Sequence, residues 1–191
     1  MTYDSKEDTM KHIKLFQQHL ARIFLEIGKR HDGHDASKLE SPEKEIFDRM
    51  TPLLRGLTYG SDEYKSTMAT MQEALDHHYA HNRHHPEHFR GTEVKQNGKT
   101  VEVWSAGMKG MTLVDLVEMF CDWCAATERH EDGDIGKSIN HNMDRFGFGE
   151  TLAHIMVNTA QEYGMGRSSH RAYIPVNTTS GNGPAGRNGK A

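Results

Sequence analysis

The chain has 191 residues, enough for one domain whose core can fold alone, and its 23 basic and 27 acidic residues give a formal net charge of −4. Both signs are spread along the whole length, which argues against bulk nucleic acid or a membrane surface as partner. No segment approaches the roughly 20 apolar residues of a membrane span and MTYDSKEDTM has no apolar signal core, so the expectation is a soluble, cytoplasmic protein.

The first element is a helix, signalled by Ile13, Phe16, Leu20, Ile23 and Ile27 at spacings of three and four; His12 and His19, seven apart, share one of its faces. A break is expected at HDGHD. Ser41-Pro42 then reads as a cap followed by proline at the first helical position, opening a helix through Ile46, Phe47, Met50 and Leu54. A third helix starts near Ser61, with Asp62 and Glu63 in its first turn and Tyr64, Met68, Met71 and Leu75 on its apolar side. Its register lands on His78, and Pro86 stops it. Alternation about Asn97-Gly98 in TEVKQNGKTVEVW predicts a small β-hairpin inserted at about 92–104.

Thr112 and Asp115 form a capping box for a helix through Leu113, Leu116, Val117, Phe120, Trp123 and Ala126. Further helices cover Ile139, Met143 and Phe146, and Glu150 through Thr159. These elements predict an all-α domain over 1–164. Residues 165–191, rich in glycine, serine and asparagine, read as a disordered tail.

Cys121 and Cys124 sit inside a helical pattern with no second C-x-x-C to complete a zinc knuckle, so core packing is expected of them. The Gly133–Ser138 string lacks the first glycine of a phosphate-binding loop and reads as a helix connector. Histidine is the outlier. Of fourteen, six fall between His77 and His88, and a cluster of that density inside a folded region points to metal. In HDASKL, His34 and Asp35 offer adjacent ligands, and Lys38 stands one turn later to neutralise an anion. Asp122, flanked by Phe120, Cys121, Trp123 and Cys124, is a carboxylate that needs a partner or a metal; Glu118 precedes it by one turn, and Asp115 by two, where a solvated face is the alternative.

In order, these motifs resemble the HD-domain superfamily of metal-dependent phosphohydrolases: an early histidine, a His-Asp pair, further histidines, then an aspartate on a later helix. HDASKL is similar to its HD-x-x-K run, and the placement of His77-His78 and of Asp122 with Arg129 resembles the HD-GYP branch, whose GYP signature is absent here. The chain also looks like an uncharacterised family of small proteins, frequent in bacteriophages and bacteria, that shares the HDxSKL, NRHHPEH, EMxxDW and KSI runs.

The resemblance implies an HD-like helical bundle with metal ligands at His34, Asp35 and Asp122 and at His12 as the early histidine, His19 being its competitor. His78, His84 and His85 join if two ions bind. Such a mixed donor set suits manganese, iron, cobalt, nickel or zinc. The implied activity is hydrolysis of a nucleotide or other small phosphate ester, with Lys38 and Arg83 holding charged oxygens and Glu118 or Glu87 moving the proton. Two rivals stay open: an HD-type di-iron oxygenase, and a non-enzymatic metal-containing binding protein. The sequence does not fix the oligomeric state, and a homo-oligomer is compatible with it.

Overall fold

A computed structural model describes residues 3–58, 61–90, 92–96, 99–103, 107–129 and 131–168, with the backbone alone for 92–96 and 99–103. The architecture is all-α. Among the described residues seven α-helices follow in order: α1 Lys6–Gly33, α2 Glu43–Leu54, α3 Asp62–Ala69, α4 Gln72–His81, α5 Leu113–Glu128, α6 Ile135–Phe146 and α7 Glu150–Tyr163. Between α4 and α5 the backbones of β1, Thr92–Gln96, and β2, Lys99–Val103, pair antiparallel with Thr92 opposite Val103 and Gln96 opposite Lys99. Asn97, Gly98 and Trp104 lie outside the described residues. No helix among those described is long and apolar enough to cross a membrane.

Helix α5 has the expected start. The Thr112 side chain accepts from Asp115 N–H while the Asp115 carboxylate accepts from Thr112 N–H. Its apolar stripe of Met119, Phe120 and Cys124 meets Ile135 and Ile139 of α6 and Ala153, Met156, Val157 and Ala160 of α7, and these residues form the buried core. Asp134 caps α6 by accepting from Lys137 N–H at 2.9 Å. Gly147 and Gly164 end α6 and α7 in the left-handed conformation, at φ +66° and +61°, where a side chain would be strained.

Several expectations need correction. The helix read from Ser61 up to Pro86 is two helices: Thr70 Oγ1 donates to Thr67 O at 2.7 Å, a local bond that competes with the helical ladder, and α4 starts afresh at Gln72 and ends at His81. Ser41 does not cap α2, which begins at Glu43 with no side-chain cap. Helix α1 does end inside HDGHD, at Gly33, where the break is expected, but none of its residues is buried. The tail does not begin at 165. Ile135 N–H donates to Arg167 O at 2.8 Å, Arg167 N–H donates to Thr127 Oγ1, and Met165 packs on the core, so the ordered domain reaches Ser168; residues 169–191 lie outside those described.

Candidate metal centre

Three segments converge on one point: the end of α1 with the turn after it, the end of α4 with the turn after it, and the middle of α5. The first is bent sharply by Asp35, whose φ of +55° lies in the left-handed region that aspartate tolerates better than most residues. The bend leads into a 3-10 turn over Ala36–Leu39. Asn82 fastens the second segment to it, its Nδ2 donating to Ser37 Oγ at 2.7 Å and to His78 O at 2.9 Å.

Asp35 is the hub. Its Oδ1 lies 3.3 Å from His78 Nε2 and 3.4 Å from His84 Nε2, and its Oδ2 lies 3.7 Å from His34 Nε2 and 2.5 Å from Lys38 Nζ. Asp122 Oδ1 approaches His34 Nε2 to 3.7 Å, and His85 Nε2 stands 2.9 Å from His78 Nε2. One set of donor atoms, from Asp35, His78, His84 and His85, lies within 4.8 Å of one another, and so does a second set from His34, Asp35 and Asp122. The two sets share Asp35.

Behind the rings stand two carboxylates. Glu43, with no exposed surface, has Oε2 2.9 Å from His78 Nδ1 and Oε1 2.8 Å from His77 Nδ1. Glu118 Oε1 lies 3.1 Å from His34 Nδ1 and 3.2 Å from His84 Nδ1, while its Oε2 accepts from Arg30 Nη1. A carboxylate on Nδ1 holds the proton there and turns the Nε2 lone pair toward the centre, an arrangement common to metal-ligating histidines.

The donor atoms fit a cation. Asp35 Oδ1 and His84 Nε2, both facing the centre, are buried without a hydrogen bond, a costly state that a bound ion would relieve. The Asp122 and Glu118 carboxylates beside His34 push its pKa up to about 10, so without metal it is an imidazolium. Burial works to raise Glu118, but His34, His84 and Arg30 outweigh it and hold the carboxyl at about 2. Burial and the neighbouring His84 and His78 push His85 down to about 3, leaving it neutral. Burial works to raise Asp122, but His34, His84, His85 and Lys38 together hold it below its usual range.

Of the residues expected at the site, His34, Asp35, His78, His84, His85, Asp122 and Lys38 come together. His12 and His19 do not. At 1.5 Å per residue His12 lies about 33 Å along α1 from His34, and His19 about 22 Å. Arg83 is spent on structure, its Nε and Nη2 donating to Asp115 at 3.1 and 3.0 Å. Glu87 is held by Arg145 at 2.6 Å, and Glu118 by two histidines and Arg30, so neither stands free to shuttle a proton. Arg129 is the exposed cap residue of α5. Cys124 is a core residue as expected, but Cys121 is exposed.

Sequence reasoning missed Glu43 and undervalued Asp115. A glutamate in the first turn of a helix is ordinarily read as a solvated partner of the helix dipole, and no spacing links Glu43 to His78. Asp115, left open above as part of a solvated face, is fully buried between Arg30, Arg83 and its own cap. An i, i+3, i+7 row of acids at 115, 118 and 122 was the available signal. Beside the centre, a cleft of about 350 Å³ lies between α1 and α5, lined by Ile27, Val114, Val117 and Ala125 together with His34 and Asp122.

No curated protein and no solved structure matches the chain. A family model described as "Family of unknown function (DUF5662)" matches residues 1–163, and the chain belongs to that family.

Proposed function

We propose that this protein is a metal-dependent phosphohydrolase of the HD type, acting on a nucleotide or another small phosphate ester. The observation that carries the reading is Asp35, whose two carboxylate oxygens face different imidazoles while Oδ1 and His84 Nε2 lack any hydrogen bond. His34, Asp35 and Asp122 would hold one divalent transition metal and Asp35, His78, His84 and His85 a second. Such an ion supplies a Lewis acid for a phosphoryl oxygen and makes water a nucleophile at neutral pH.

The chain's own residues prepare the rest. Glu43 and Glu118 orient the rings, and Lys38, side chain 37% exposed at the rim, brings a positive charge for the phosphoryl oxygens. The order of motifs along an all-α chain supports the HD comparison. The test is to load portions of the protein with manganese, iron, cobalt, nickel or zinc and to follow phosphate release from nucleotides and phosphate esters under anaerobic conditions. Release with at least one metal, lost in Asp122→Asn, is the expected result. Silence with every metal and ester, or oxygen uptake by the iron form in its place, would overturn the reading.

A further inference from the structure

Helix α1 is 28 residues long, about 42 Å at 1.5 Å per residue, and buries none of them. Ile13, Phe16, Leu20 and Ile23 are 37 to 56% exposed, with Met10 at 58% and Phe24 at 62% flanking them. Most helices draw their stability from packing an apolar face, and over residues 10–24 this face stays open; it meets α5 only toward its end, at Ile27 and Arg30. A contiguous apolar strip of this length marks an interaction surface.

The spacing of the strip says what kind of surface it fits. Positions 13, 16, 20, 23, 27 and 30 step by three and four in strict alternation, the a/d seam with which one helix meets another. A two-fold axis makes such a seam its own complement. In an antiparallel pair, a positions face d positions, and here Ile13 meets Arg30, Phe16 meets Ile27 and Leu20 meets Ile23, with no seam position left over. A parallel pair would instead stack Arg30 on Arg30 and crowd both folded bodies at the same end.

We infer that α1 pairs antiparallel with the α1 of a second copy of this chain. The register carries the partner's Phe16 and the partner's Ile13 to Ile27 and Arg30, which already line the cleft between α1 and α5, so each copy gives the other's cleft a further apolar wall. Arg30 suits that position because Asp115 and Glu118 already pair its guanidinium, leaving its aliphatic stem to pack. Six large apolar side chains at roughly half exposure provide much of the roughly 800 Å² per partner that a stable interface takes.

The test begins with the mass of the full chain by light scattering across a range of concentrations. A dimer is expected, becoming a monomer with an unchanged melting profile of the core in Leu20→Glu. Geometry is read by mild oxidation in a Cys121→Ser background: Leu20→Cys alone should stay uncrosslinked, and Leu20→Cys combined with Ile23→Cys should give a covalent dimer. A monomer at all concentrations, a dimer indifferent to Leu20→Glu, or crosslinking of Leu20→Cys alone would each overturn the proposal. So would a chain ending at Ser168 that dimerises where the full chain does not, since residues 169–191 would then be the natural cover of the seam.

Discussion

Glu118 serves two imidazoles with one oxygen and an arginine with the other, and this makes it a positioning residue. Carboxylates of this kind commonly contribute 10- to 100-fold to metal affinity by fixing the ligating ring. Glu118→Gln keeps the shape and removes the charge, so a chelator-competition titration should show metal binding weakened by about that factor. Unchanged affinity would mean that His34 and His84 need no such guide. His34 offers a second measurement. With its pKa at about 10 it is protonated in the metal-free protein at neutral pH, whereas a ligand must be the neutral ring. Metal binding should therefore expel a proton at pH 7, read in calorimetry as a heat that depends on the buffer's ionisation enthalpy. Affinity should rise with pH up to about 10 and then level.

At the scale of elements, Asp115 couples α1 and the turn after α4 to the start of α5. Its carboxylate is fully buried, it accepts from Arg30 and Arg83, and it closes the capping box. Asp115→Ala should destabilise the protein by about 3 kcal/mol in a denaturant melt, discounted for water that reaches both arginines. A loss under about 1 kcal/mol would show that the clamp is a surface ornament. The sequence displayed the capping box openly because its two residues are three apart, and it displayed α5, α6 and α7 for the same reason: their periodicity is local. It concealed the pairing of Glu43 with His78 and of Arg83 with Asp115, because contacts between elements leave no period. His12 was misplaced by the family pattern, since α1, continuous from Lys6 to Gly33, carries it away from the centre, whereas the end of that helix at HDGHD was legible.

For the whole molecule, the boundary of the folded unit follows from where the chain after α7 returns to the core. Met165 packs there, and Arg167 supplies an acceptor for the first N–H of α6. A chain ending at Gly164 should be less stable than one ending at Ser168 by about 1 to 2 kcal/mol, or a melting temperature lower by about 4 °C. Equal melting temperatures would return the boundary to Gly164. The same scale contains the main claim, that three distant segments fold around a cation. Elemental analysis of the untagged protein beside Asp35→Asn tests it most directly, because asparagine tolerates the left-handed backbone at position 35 and removes only the shared charge. The account predicts one to two equivalents of a transition metal in the parent and a small fraction of that in the variant, with both proteins folded. Equal metal in the two, or none in the parent after growth and purification with the metals supplied, would contradict it.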